Sequence, residues 1–212
     1  MPVLLNHLKN KGGRVRIFID EKKFIVDEVG NRRNTRVIAC NSSEVPPLMI
    51  SKNPASVMVF AAVASDGTVM PPHFIEVGLK INSAEYLKIL KDILLPWTRK
   101  HFDPSQVMLI QDSAPAHGAK LVQNFLKEKF PLFVPKDVWP SCSPDLNVCD
   151  YYLFSVIERE SIATPHPNLG SLKAAIKRAF RKLDPDEIRR SCAGFVLGSP
   201  KLLKQRVVTL NK

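Results

Sequence analysis

Three aspartates stand in distinctive settings, two at the ends of apolar, β-branched runs and the third inside an expected helix. They are Asp20 after Ile17-Phe18-Ile19, Asp112 after Leu109-Ile110-Gln111, and Asp150 after Val148-Cys149. A carboxylate there gains nothing from packing and carries a desolvation cost unless positive charge lies opposite. Three of them converging would hold one or two divalent metal ions. Oxygen donors of this kind suit Mg²⁺, which keeps several waters and needs few protein ligands.

Each position has its own setting. Asp20 closes a strand expected over Val15–Ile19, and could instead pair with Lys22 or Lys23. Asp112 comes two residues after the apolar run Val107-Met108-Leu109-Ile110; Pro115 then breaks any regular continuation, leaving Ser113 and His117 to fold back around it. Open α/β sheets place ligands at the carboxyl ends of their central strands. Asp150 falls within a helix expected from Leu146 to about Glu160, with Asn147 three residues earlier on the same face. Asp145 competes for its role, but with Ser143 it reads as a cap of that helix, Pro144 suiting the first turn.

The elements that must position these residues follow from periodicity and breakers. Val15, Ile17 and Ile19 alternate along one strand, and Phe24-Ile25-Val26 forms a second, closed by Gly30. Residues 31–54 are polar and turn-rich, the longest irregular stretch. Val57–Val63 is a strong strand, and Asp66-Gly67 signals a hairpin leading to strands near Val69 and Phe74-Ile75. Asn82 with Glu85 marks a capped helix start; Tyr86, Leu87, Leu90, Ile93, Leu94 and Trp97 follow as its core stripe, interrupted by Pro96. Val107–Ile110 reads as a strand buried on both faces. Leu121, Val122, Phe125 and Leu126 give the next helix its apolar face, and Phe133-Val134 a short strand. Leu153, Phe154 and Ile157 point inward from the helix carrying Asp150. Ser171 to Phe195 is two helical stretches broken by Asp184-Pro185. Hairpins first, then alternating strands and helices, predict an α/β fold: a mixed sheet covered on both faces.

The chain's 212 residues are enough for one sizeable domain, and its 45% hydrophobic content excludes a disordered tail. A net charge of +11 fits either a polyanionic partner, nucleic acid first, or a basic solvated surface. Cys40, Cys142, Cys149 and Cys192 form no CxxC pair, which argues for reduced structural thiols and against structural zinc. Met1 to His7 has no basic region followed by a long apolar stretch, so no secretory leader is expected. No apolar run approaches the roughly 20 residues that span a bilayer. Neither a membrane nor a small-molecule substrate is expected, and the site of action is expected to be the nucleus.

The strings IFIDEKKF, LIQDSAPAH and WPSCSPDLNVCDYYLF resemble, in order, the three catalytic blocks of mariner-type transposases of the DDE/D transposase and integrase superfamily. The likeness runs from about Arg14 to about Phe195. It implies a ribonuclease-H-like fold, two Mg²⁺ or Mn²⁺ ions, and cut-and-paste transposition by cleavage and strand transfer. It also implies double-stranded DNA as partner, namely transposon ends and a TA target, with action as a homodimer. It assigns the catalytic, metal-binding triad to Asp20, Asp112 and Asp150. Asp20 would bridge both ions, with Asp112 on one and Asp150 on the other. His117 and Asn147 would orient ligands from behind, or serve loop and core structure alone. Lys22, Lys23, Arg32, Arg33 and Arg36 would track DNA phosphates, or simply be solvated.

Three features depart from the family pattern. Between Asp112 and Asp150 lie 37 residues, 150 − 112 − 1, as in a related lineage with a longer spacer and a third Asp. Ser113 stands where the family usually has Asn. The family's paired helix-turn-helix modules have no counterpart ahead of Arg14, so residues 1–13 read as the remnant of an upstream linker. Residues 14–165 are then the catalytic core and 166–212 its helical extension, atypical after 195. Two other readings stand beside catalysis. One is a transposase-derived DNA-binding or interaction protein without activity. The other makes the basic pair Leu172 to Arg190 a helix-turn-helix reader, although Asp184-Pro185-Asp186-Glu187 puts acid where base contacts would begin.

Overall fold

Ile17 and Ile19 on one face of strand β1 (Val15–Ile25), and Phe18 and Phe24 on the other, are all buried. A strand apolar on both sides must be covered on both, and the fold is built around that requirement. The computed structural model describes residues 14–27, 40–41, 52–75, 81–130, 132–139 and 143–194. The turn-rich stretch 31–54 and the segments 1–13 and 195–212 fall wholly or largely outside these.

Antiparallel to β1 runs β2 (Ser56–Ala64), in unbroken register from Ile17 opposite Ala64 to Ile25 opposite Ser56. This corrects the expectation of two short strands separated at Asp20. The polar run Glu21-Lys22-Lys23 lacks apolar periodicity, but a long partner's backbone hydrogen bonds carry the strand through it. Asp20 therefore lies mid-strand, opposite Ala61. A tight turn at Asp66-Gly67, with Gly67 at φ +96°, leads through a bridge at Val69 to the edge strand β3 (His73–Ile75). On the other side of β1, β4 (Val107–Ile110) pairs parallel from Val15 opposite Val107 to Phe18 opposite Ile110. The short β5 (Leu132–Phe133) follows it, giving a five-stranded mixed sheet in the order β3-β2-β1-β4-β5.

One face of the sheet is covered by α1 and α2. Helix α1 comprises Ser83–Ile89, a widened π turn Leu90–Leu94, and Leu95–His101. Asn82 caps it as expected, its side chain accepting from the backbone N–H groups of Ala84 and Glu85. Pro96 does not interrupt this helix. Proline lacks an N–H and crowds the carbonyl four residues back, and the wide turn before it relieves both problems. Helix α2 (Lys120–Lys129) buries Val122, Phe125 and Leu126, while Leu121 is 53% exposed and leaves the expected apolar face. These helices meet Ile17, Ile19, Phe60 and Leu109 in one core.

Helices α3, α4 and α5 cover the opposite face. A short 3₁₀ turn, Pro144–Leu146, precedes α3, which begins as a π turn (Cys149–Leu153) and continues as Phe154–Ser161. Helix α4 is Leu169–Arg181, capped by Asn168, and α5 occupies 185–194. Leu153, Phe154, Ile157, Leu172 and Ile176 pack there against Phe18, Phe24 and Val59. Each layer thus buries its own apolar stripe on a shared sheet.

Candidate active site

The parallel register sets the geometry. Phe18 stands opposite Ile110, and Asp20 and Asp112 each come two residues later, just past the last paired residues of β1 and β4. Two carboxylates are thereby delivered side by side at the carboxyl end of the parallel β1–β4 pairing. Asp150 comes from the first turn of α3, which packs over this end of β1. Asp20 and Asp150 lie close enough to influence each other's ionisation, and the Asp112 charge is felt at Asp150.

Asn147 fixes that approach. Wholly buried, it donates from Nδ2 to the Ile19 carbonyl at 3.1 Å and accepts at Oδ1 from the Cys149 N–H at 3.1 Å. The Cys149 thiol reaches the Phe18 carbonyl at 3.5 Å. The start of α3 is thus tied to the two residues that precede Asp20.

Asp112 is held differently. Its Oδ1 accepts from the Ala114 N–H at 3.0 Å and meets His117 Nδ1 at 2.5 Å. His117 Nε2 lies 3.2 Å from Glu21 Oε2. The imidazole stacks on Tyr86 with centroids 4.1 Å apart, and the Tyr86 hydroxyl donates to Gln111 Oε1 at 2.6 Å. Strand alternation explains this wedge: Asp20 points toward α3, so Glu21 points toward α1 and the loop after β4.

Electrostatics follow from burial and crowding. Burial lifts the Asp20 carboxyl well above its ordinary value, and the charges of Asp150 and Glu21 lift it further. Burial also raises Asp150 and, helped by the Asp112 charge, outweighs the lowering effects of Asp20 and Lys22. Such a pair shares a proton, which Asp20, the more buried partner, retains. Burial works upward on Asp112 too, but the contacts with His117 and the Ala114 N–H bring it below its ordinary value. Burial would lower His117, yet Asp112 and Glu21 together push it up to about 10.

Of the basic residues expected to meet DNA, Lys22 is paired with Glu158 of α3 at 2.8 Å, and Lys23 is exposed. Arg32, Arg33 and Arg36 lie outside the described residues. Glu21, Tyr86 and Gln111 escaped the sequence reading. A tyrosine in a buried helical stripe is a signal in itself, since its hydroxyl needs a partner. An acid on each face of one strand, Asp20 and Glu21, is another.

The donor set suits a hard divalent cation, being carboxylate oxygens whose mutual repulsion favours either a shared proton or a metal. One buried atom, Glu21 Oε1, has no hydrogen-bond partner and adds to the negative potential. Among the described residues no group of three or more His, Cys, Asp or Glu side chains is drawn together as a ready metal cluster.

No family model matches the chain, and no curated protein does. Solved structures do. The chain is similar to a pre-cleavage Mos1 transpososome (TM-score 0.79, 20% identity, 96% of this chain and 59% of that one). It is similar to the Mos1 mariner paired-end complex with Mn (0.74, 22%, 92% and 56%). It is similar also to the catalytic domain of Mos1 mariner transposase (0.63, 22%, 92% and 84%). The chain therefore spans a little over half the length of the first two, and most of the third. The likeness shows the fold, which is ribonuclease-H-like.

Proposed function

We propose that this chain is the catalytic domain of a mariner-type transposase, a DDE/D enzyme that cleaves DNA and transfers the cut strand with divalent metal. One observation supports the reading: strand register sets Asp20 on β1 beside Asp112 after β4, and Asn147 ties the start of α3, which carries Asp150, to the residue before Asp20. The quoted motifs and the fold support it together, and the matched Mos1 structures include a complex with Mn.

Asp20, Asp112 and Asp150 would hold two Mg²⁺ or Mn²⁺ ions. Bound there, the ions would supply Lewis-acid activation of a water or 3′-hydroxyl and charge stabilisation for an in-line phosphoryl displacement. The protein's own part is positional. Asn147 sets where Asp150 enters, and His117, backed by Glu21, holds the Asp112 carboxylate by its Oδ1. Lys22, Lys23, Arg32, Arg33 and Arg36 would meet DNA phosphates, Lys22 doing so by leaving Glu158. Action as a dimer on paired ends, insertion at TA and a nuclear site of action belong to the same reading.

Incubating the chain with supercoiled DNA and Mn²⁺ tests it. Metal-dependent nicking should occur and should vanish in Asp20→Asn, Asp112→Asn and Asp150→Asn. Nicking that survives all three substitutions would refute the assignment. DNA binding without nicking, on precut ends as well, would favour the reading as a transposase-derived DNA-binding protein.

A further inference from the structure

Helix α4 has one face in the core and another that is uniformly basic. Its 13 residues include Lys173, Lys177, Arg178 and Arg181 and no acid. Lys177, Arg178 and Arg181 are exposed, and Lys173 is half-buried. Among the described residues none of the four makes an ion pair, whereas neighbouring Lys182 is met by Glu160 at 3.5 Å. Lys173 and Lys177 are one turn apart, and each holds its ammonium 5.6 Å from the centre of the same ring, Phe74 of β3. Like charges at that spacing disfavour a helix unless something anionic lies between them. Beside Lys177 and Arg181 runs a groove of about 450 Å³, floored by Pro71, Pro72 and Phe180. The prolines offer no N–H, so any anion there is held by the basic side chains.

We propose that this α4–β3 face docks the phosphate backbone of duplex DNA, separately from the strand that meets the three aspartates. The proposal rests on the reading of the chain as a DNA-processing domain and adds a second contact surface to it. Lys173, Lys177 and Arg181 recur every four residues and, at 1.5 Å per residue, line about 12 Å of helix. That matches about three phosphates of one strand. Helix α4 packs against α3, and both cover the sheet face that bears Phe18 and Asp20. DNA on α4 therefore lies on the same side of the sheet as Asp20 and Asp150. The contact is to backbone and not to bases, which sets it apart from the helix-turn-helix reading. On α5, Ile188 and Cys192 are buried, Glu187 is engaged by Tyr152, and Arg189 is engaged by Asp186 and the Asp66 carbonyl. A helix so occupied has little left to read a groove with.

Fluorescence anisotropy with a short random-sequence duplex, over a series of salt concentrations, tests the proposal on the triple variant Lys173→Gln, Lys177→Gln, Arg181→Gln. Affinity should fall by roughly tenfold or more at low salt, and the slope of log affinity against log salt should drop by about 3, alike for unrelated sequences. Mn²⁺ binding and the urea midpoint should stay as in the parent. A control with the same charge change on the opposite face, Lys88→Gln, Lys91→Gln, Lys127→Gln, should lose much less. A parental salt slope in the first variant, or equal loss in the control, would overturn the proposal. Either result, with Mn²⁺ binding intact and sensitive to Asp112→Ala, would leave the catalytic reading standing. Loss of that sensitivity with the salt effect retained would do the reverse.

Discussion

His117 presents each ring nitrogen to a different carboxylate, Asp112 on one side and Glu21 on the other, so both nitrogens carry protons. The imidazolium fixes Asp112 from behind. His117→Ala should weaken Mn²⁺ binding by about 10- to 100-fold, the usual cost of losing a group that orients a metal ligand; calorimetry measures it. Because the folded-state value of about 10 exceeds the ordinary 6.5, this histidine stabilises the fold fully below pH 6.5 and loses that effect as pH rises through 10. Asp20 also keeps its proton above its ordinary 3.8, so the folded state binds more protons than the unfolded chain over that range. Metal-free stability from Asp20 should fall as pH rises above 3.8, and stabilisation by Mn²⁺ should grow. Melting temperature against pH, with and without Mn²⁺, reports both effects, and Asp20→Asn should flatten the metal-free profile. A metal-free profile that rises through this range and is unchanged in Asp20→Asn would contradict the pairing with Asp150. At this scale the sequence marked Asp20, Asp112, Asp150, His117 and Asn147. It hid Glu21, because membership of the wedge depends on which face of β1 turns toward the loop after β4.

Placement of α3 depends on Asn147, whose two side-chain bonds satisfy the Ile19 carbonyl and the Cys149 N–H inside the core. Asn147→Ala leaves both buried groups unpaired and should cost about 1–3 kcal/mol in urea unfolding. It should weaken Mn²⁺ binding as well, since Asp150 shares that first turn. A stability loss with the metal isotherm unchanged would mean that Asn147 supports the core alone. At the far end of the sheet, Gly67 sits at φ +96°, and a Cβ there would come within 2.7 Å of the Pro185 carbonyl. Gly67→Ala should therefore destabilise by about 1–3 kcal/mol, read as a lower urea midpoint. Most elements were legible from periodicity: β2, β4, the capped start of α1, and the inward face of α3. Three details were not. The continuity of β1 through Glu21-Lys22-Lys23 is imposed by β2, the passage of α1 beyond Pro96 by a π turn, and the exposure of Leu121 by the rotation of α2 on the sheet. Each is a tertiary effect that local pattern does not encode.

The whole molecule separates its charges by location. The chain carries a net charge of +11, and among the described residues the basic face of α4 is separate from the aspartates on β1, after β4 and on α3. Among the described residues no helix is long and apolar enough to cross a membrane. A basic chain attracts a polyanion, and neighbouring aspartates repel it unless cations intervene. Divalent metal is thus what would let the aspartates meet a polyanion. Calorimetric titration of Mn²⁺ into the chain, beside Asp112→Ala with its fold checked by urea unfolding, tests this most directly. A saturable isotherm is expected, abolished by the substitution while the unfolding transition persists. Identical isotherms for the two proteins would contradict it, leaving three converging carboxylates that do not form a metal centre.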